Sequence, residues 1–373
     1  MSLAAKITIP RQLLPQDGRF GCGPSKIRPE QLSALQRQSL DILGTSHRRP
    51  PVRNIVGSIR EQMRTLFSLP SDWQVVLGNG GTTLFWDVAT FGLIDRRSEH
   101  LTFGEFSAKF AQAAQRAPHI GEPIVVEAPA GQVPIAQIAD VDTYCFTHNE
   151  TSTGAAMKLV RPAAPANSLV VVDATSAAGG IAFSTEDVDV YYFSPQKCFA
   201  SEGGIWFALC SPRALERISQ IAASGRWCPA SLDISLAVEN SVANQTLNTP
   251  SIGTLILLNE HLRWMLGNGG MQWCAARTLE SSQHIYNWAD SREFAMPFVA
   301  DPSHRSPVVA TIDITDIEVS EINRVLRDNN IVDTDSYRKL GRNQLRIATF
   351  PAIEPSDVRQ LTDCIDYVIE ALS

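Results

Sequence analysis

The chain has 373 residues, 44% of them hydrophobic, and a formal net charge of −7. That length sustains a large core and two domains, and an acidic balance without a long basic run argues against a nucleic-acid partner. No apolar stretch is both long and free of charge, so no membrane span is predicted, and MSLAAKITIPRQLLPQDGRF has no h-region followed by a small-residue cleavage site, so a cytoplasmic protein is expected.

The 7 cysteines are odd in number and scattered, with no C-x-x-C pair. They predict reduced thiols and no metal site. Along the chain, GTSHRRPP (44–51) puts His47, Arg48 and Arg49 on a segment that two prolines keep out of a helix interior. It reads as a solvated basic loop or as a clamp for a carboxylate or phosphate. WQVVLGNGG is a strand ending in glycines, and TTLFWDVATFGLI after it is a helix. Its junction GNGGTT lacks the third glycine of a dinucleotide fingerprint and the G-K-[ST] of a Walker loop. A simple turn and a phosphate cradle at a helix N-terminus both remain.

EFSAKFAQAAQRA is helical, and PIVVEA, TYCFTHNE, SLVVVDAT, VDVYYFSP and GGIWFALCS are buried strands, followed by the helix PRALERISQIAAS. This alternation predicts an α/β fold with a largely parallel sheet covered on both faces. From about Ser251 the texture changes. The helices TLILLNEHLRWML and MQWCAARTLESSQHIYNWADS are followed by VVATIDI, SEINRVLRDN, QLRIATF and PSDVRQLTDCIDYVIEAL, a strand–helix–strand–helix pattern. The expected division is a large domain over 16–260 and a small α+β domain over 261–373, with segment 1–15 packing nearby.

Two residues stand out. Asp173 ends an apolar strand and opens into small residues, where open α/β sheets bind ligands. A helix N-cap is the equal alternative. Lys197 lies between apolar runs, with only Glu202 as a charged neighbour. It reads as a surface lysine with a snorkelling stem, or as an amine that loses its proton readily and acts as a nucleophile. An acid to hold a protonated pyridine nitrogen and a lysine to carry the aldehyde are the pair expected of a pyridoxal-phosphate enzyme. Ser194-Pro195-Gln196-Lys197 also fits the S-x-x-K motif of acyl enzymes, but no K-T-G element follows.

LGTSHRRPPV, VLGNGGTTLFWD, LTFGEFSAKF, HNETSTG, VVDATSAAGG, YYFSPQKCFAS, NQTLNTP and RKLGRNQLR, in this order and spacing, resemble the phosphoserine aminotransferase family over nearly the whole chain, in its actinobacterial branch. The resemblance implies a fold-type I aminotransferase: a large domain on a mainly parallel seven-stranded sheet, and a smaller C-terminal α+β domain. It implies pyridoxal 5'-phosphate as cofactor and a homodimer with shared active sites. The reaction implied is reversible transfer of the amino group of L-glutamate to 3-phosphohydroxypyruvate, giving O-phospho-L-serine and 2-oxoglutarate in L-serine biosynthesis.

Residue by residue, the family's cofactor-anchoring lysine falls on Lys197, and Asp173 matches the acid at the pyridine nitrogen. Gln196 and Thr151 match polar cofactor contacts, Phe106 the aromatic stacked on the ring, and Gly81 and Thr82 the phosphate turn. Asn248 and Thr249 match residues that reach the cofactor phosphate of the neighbouring subunit. His47 and Arg48 match positions for the acidic end of the substrate, and Arg346 the arginine for the α-carboxylate. An arginine often stands at Thr82 and a tryptophan at Phe106, and a His-Arg pair stands where this chain has Gly341-Arg342, leaving Arg342 as its match. Alanine–glyoxylate and serine–pyruvate aminotransferases are the nearest alternatives; they need no strong phosphate grip, so His47, Arg48 and Arg342 discriminate.

Overall fold

The computed structural model describes residues 7–372. Its strands are β1 (Gln74–Asn79), β2 (Ser98–Thr102), β3 (Ile124–Glu127), β4 (Thr143–Thr147), β5 (Asn149–Glu150), β6 (Ala155–Ala156), β7 (Leu169–Asp173), β8 (Val190–Phe193), β9 (Ile205–Cys210), β10 (Ala295–Pro297), β11 (Val309–Ile314) and β12 (Gln344–Ala348). The helices are α1 (Pro29–Ile42), α2 (Pro50–Leu66), α3 (Thr82–Gly92), α4 (Glu105–Arg116), α5 (Pro212–Ala223), α6 (Ile234–Val242), α7 (Ile252–Gly267), α8 (Gly270–Asp290), α9 (Val319–Asp328) and α10 (Pro355–Leu372).

The large sheet has the order β1-β9-β8-β7-β4-β2-β3. Strands β3, β2, β4, β7 and β8 run parallel, and β9 is antiparallel to both of its neighbours. β4, β7, β8 and β9 are buried along their whole length, as strands covered on both faces must be. Alternate residues serve opposite cores. Val75 and Leu77 pack with α2 and α7, while Val76 packs with α3, α4, α5 and α6.

A second, antiparallel sheet β10-β11-β12 shares a core with α9, α10 and the C-terminal half of α8. Ile7, Ile9, Leu13 and Leu14 pack against this core, and residues 1–6 of the predicted N-terminal segment lie outside the described residues. Residue 260, the expected end of the large domain, falls inside α7, whose Leu262 and Met265 belong to the large core. The packing changes hands within α8, where Cys274 joins the first core and Ile285 and Trp288 the second.

Helices α1, α2 and α6 and strand β2 go beyond the elements predicted from the sequence. In α2 the two prolines are the first residues of the helix, with Arg49 as N-cap. The missing proline N–H groups fall where an α-helix has no acceptors for them, so the basic loop ends at Arg49. Among the described residues no helix is long and apolar enough to cross a membrane.

Candidate active site

Parallel register brings Thr147, Asp173 and Tyr192 side by side at the C-terminal ends of β4, β7 and β8. Beyond these ends lies a cavity of about 140 Å³, lined among others by Thr82, Thr83, Trp86, Phe106, Thr151, Asp173, Gln196 and Lys197. The structure thus unites residues that are scattered over more than a hundred positions of sequence.

Lys197 sits on the tight turn after β8. The turn is closed by backbone bonds from Ala200 to Lys197 and from Ser201 to Pro195. Nζ donates to the carbonyl of Cys22 at 2.5 Å. A Cβ on residue 23 would come within 1.8 Å of Nζ, and Gly23 has φ +146°, so only glycine permits this approach. Burial pulls the Lys197 pKa down to about 8; Cys22 opposes the shift and the Arg346 charge adds to it. No carboxylate pairs with this amine among the described residues. Ser194, the rival nucleophile, is fully buried with its hydroxyl donated to the Ile205 carbonyl, so the S-x-x-K reading has no exposed nucleophile.

Asp173 is not a helix N-cap. Its Oδ1 accepts from the Thr175 amide at 2.9 Å and the Thr175 hydroxyl at 2.5 Å, and its Oδ2 accepts from Trp86 Nε1 at 3.0 Å. Burial pushes its pKa up, against the pull of these donors.

The N-terminus of α3 borders the cavity. Gly80 turns the chain at φ +101° and Gly81 is the N-cap, with Thr82 and Thr83 in the lining. No acidic residue occupies the first turn, so nothing competes with a bound anion there. Phe106 opens α4, and its place is set by Glu150. This fully buried carboxylate accepts from the amides of Phe106 (3.1 Å) and Ser107 (2.9 Å) on Oε2, and from the Ser152 hydroxyl (2.7 Å) on Oε1. Thr151, beside it, donates its hydroxyl to Ser176 at 2.8 Å.

Arg346 on β12 reaches toward the same region. Its Nη1 donates to the Thr151 carbonyl at 3.5 Å and its guanidinium lies 5.4 Å from the Tyr337 ring. Its Nε is buried without a partner. The other predicted residues lie elsewhere. His47, Arg48, Asn248 and Thr249 form a surface cluster outside the cavity lining. His47 Nδ1 is 3.2 Å from the Thr249 hydroxyl, and Arg48 donates to Gln245 Oε1 at 2.6 Å and to the Leu247 carbonyl at 3.1 Å. Asn79, just before the glycine turn, ties this loop down by accepting from the Asn248 amide at 3.2 Å and donating to the Thr249 carbonyl at 3.0 Å. Arg342 is held by Asp313, with Nε 3.1 Å from Oδ1, and its guanidinium covers the Phe298 ring at 4.7 Å. Its charge is already engaged.

Trp86, Glu150, Thr175 and Asn79 were not among the residues singled out from sequence. Only Thr175 carries a local signal, since a hydroxyl two positions after an aspartate bonds back to it.

The cavity fits pyridoxal phosphate by its donors and acceptors. An unpaired amine of lowered pKa lies in it together with a buried carboxylate and a helix N-terminus. Gln196 Oε1 and Asn149 Oδ1, both on residues of the lining, are buried without partners, as polar atoms that face a polar ligand are.

Comparison with known proteins agrees with this chemistry. The class-V aminotransferase pattern matches residues 20–334. A Rhodococcus opacus protein named phosphoserine aminotransferase is 54% identical over 367 residues, covering 98% of both chains. A Mycolicibacterium vanbaalenii protein provisionally given the same name is 55% identical over 372 residues, covering 99% of this chain and 100% of its own. Among solved structures, a phosphoserine aminotransferase from Cytophaga hutchinsonii superimposes with a TM-score of 0.86 at 24% identity, over 94% of this chain and 99% of its own. At that identity the likeness speaks for the fold.

Proposed function

The chain belongs to the class-V aminotransferase family and is a pyridoxal-phosphate-dependent transaminase of fold type I, and we propose that it is a phosphoserine aminotransferase. It moves the amino group of L-glutamate to 3-phosphohydroxypyruvate and yields O-phospho-L-serine and 2-oxoglutarate, a step in serine biosynthesis. The observation that carries this reading is the unpaired Lys197 amine in one cavity with buried Asp173, with the uncompensated Arg346 beside them. Relatives named for this activity at 54–55% identity over whole chains support the substrate.

Pyridoxal phosphate, held on Lys197, supplies an electron sink for negative charge developing at the substrate Cα. The chain does the rest. The amides of Thr82 and Thr83 at the start of α3 hold the phosphate. Phe106, fixed by Glu150, would cover the ring, and Thr151 and Gln196 would bond its polar groups. Asp173 would accept from the ring nitrogen and would keep it protonated. Arg346 takes the α-carboxylate of each substrate. Lys197 Nζ, once released, would take the proton from the substrate Cα and would give it back in the reverse direction, and its pKa of about 8 suits both near neutrality.

His47 and Arg48 read the distal acidic group, a phosphate in one half-reaction and a carboxylate in the other. The surface cluster of half-buried His47 and exposed Arg48, Asn248 and Thr249 serves the cavity of a second copy, so the working unit is a homodimer with shared sites. Arg342 supports β11 and β12 and takes no part in the grip, given its bond to Asp313.

The decisive experiment is a two-step exchange. Protein treated with L-glutamate and desalted is offered 3-phosphohydroxypyruvate, glyoxylate or pyruvate, and the return of the original visible spectrum is timed. Phosphohydroxypyruvate should restore it fastest. A faster return with glyoxylate or pyruvate would assign the chain to the alanine–glyoxylate or serine–pyruvate type instead.

A further inference from the structure

An ionised carboxylate offers about four lone-pair directions, and the fold fills three of them on Asp173. Thr175 donates twice to Oδ1, and Trp86 donates once to Oδ2. The Tyr192 hydroxyl is buried beside the same carboxylate and helps to hold it charged, but it stands outside strict hydrogen-bond distance and angle and does not fill the fourth direction. That direction belongs to Oδ2, and both Asp173 and Trp86 line the cavity. Trp86 is 5% exposed and stands on α3 four positions after Thr82, one helical turn from the anion cradle. One rigid turn therefore links the cradle to the group that grips Asp173.

We propose that Trp86 is a positioning residue, whose indole N–H turns the Asp173 carboxylate so that the open direction of Oδ2 meets the ring nitrogen of the cofactor, and keeps that carboxylate charged. The inference rests on the reading that Asp173 faces this nitrogen. Thr175 cannot do the work alone, because both of its bonds fall on Oδ1 and leave Oδ2 unfixed. A donor to the carboxylate favours its ionised form. Without the indole, Asp173 becomes more basic, and the proton it shares with the ring nitrogen moves toward the carboxylate oxygen. The ring then withdraws electrons less strongly.

The test uses holoenzyme loaded with pyridoxal phosphate carrying nitrogen-15 in the ring. Wild type, Trp86→Phe, Asp173→Asn and the double variant are compared. In Trp86→Phe the ring resonance should move toward that of neutral pyridine, in the direction given by Asp173→Asn and less far. The kcat should fall about tenfold or more, with KM for both substrates nearly unchanged. The double variant should be no slower than Asp173→Asn, since Trp86 acts through Asp173. An unmoved resonance in Trp86→Phe, or losses that add in the double variant, would overturn the role of Trp86 and leave that of Asp173 standing. A resonance unmoved in Asp173→Asn would remove the reading beneath it and the inference with it. A second measurement needs no substitution. The indole N–H resonance of Trp86 must shift when apo-protein takes up the cofactor, because both donors share Oδ2, and a resonance that stays in place also overturns the proposal.

Discussion

The Lys197 amine rests 2.5 Å from the Cys22 carbonyl, and a Cβ on the next residue, Gly23, would stand 1.8 Å from the same nitrogen. The backbone of the segment 22–23 thus acts as a stop for the lysine. Gly23→Ala adds the clash and an unfavourable φ of +146°. Displacing a reacting group by about an ångström costs roughly 100-fold in rate. The variant should keep its far-UV circular dichroism, lose most of its bound cofactor on dialysis and turn over at least about 100-fold more slowly. Full cofactor retention with normal turnover would show that the amine does not depend on this stop.

Lys197→Ala should bind pyridoxal phosphate weakly and transaminate not at all. Borohydride should then fix no cofactor to the chain. A reduced adduct recovered on another lysine would move the anchor elsewhere.

The pH dependence follows from the direction of the Lys197 shift. The neutral amine is the nucleophile, and burial lowers its pKa to about 8. The rate of covalent cofactor loading onto apo-protein should rise about tenfold per pH unit below this value and level off above it. An unperturbed lysine would go on gaining until about pH 10.4. Stopped-flow loading traces at a series of pH values separate the two, and a rate still climbing steeply above about pH 9 counts against the buried amine.

Two arginines four residues apart should behave differently. Arg346 has a buried Nε without a partner and lies near the cavity, whereas Arg342 is bonded to Asp313. Arg346→Lys loses the bidentate fork and should raise KM for glutamate and phosphohydroxypyruvate alike, by about tenfold or more for a charged hydrogen bond of about 1.5–3 kcal/mol. Arg342→Ala should leave both KM values near wild type and cost about 1 kcal/mol of stability or less, as a half-exposed pair does. A selective rise in KM for phosphohydroxypyruvate in Arg342→Ala would return that residue to the phosphate grip.

Much of the large sheet was legible because its strands are short apolar runs. SLVVVD and VYYF, for example, announce β7 and β8, and their ends carry Asp173 and the turn to Lys197. Strand β2 was hidden because its residues SEHLT include Glu99 and His100, both buried; Glu99 accepts from the Gln137 amide and His100 bonds Ser98. Charged residues in a core strand erase the apolar signal, and the partners that make them tolerable are set by the fold. Helix α2 was hidden by its opening prolines. The same limit applies to the site. Trp86 and Asp173 are 87 positions apart, and Glu150 caps a helix 43 positions before it. No local pattern announces a bond of that span, whereas residues with a characteristic neighbourhood, such as Lys197 in SPQK, stand out.

Asn248 and Thr249 are exposed, yet the loop that holds them is fixed by two hydrogen bonds to Asn79 and one contact with His47. An ordered, exposed polar loop outside the cavity of its own chain suits a role in the cavity of another. If it acts in trans, each site of a homodimer takes Lys197 from one copy and Asn248 and Thr249 from the other, as two-fold symmetry requires. A chain carrying Lys197→Ala then contributes an intact loop, and a chain carrying Asn248→Ala and Thr249→Ala contributes an intact lysine. Their hybrid has one complete site and one dead site. With random pairing half of the dimers are hybrids, so a refolded equimolar mixture should recover about one quarter of wild-type activity, while each parent alone stays near zero or strongly impaired. Tagging the two chains differently and isolating the hybrid should double that yield to about one half. If the loop serves its own chain, the only lysine in the hybrid sits beside a damaged loop, and purified hybrid will be no more active than the loop variant by itself.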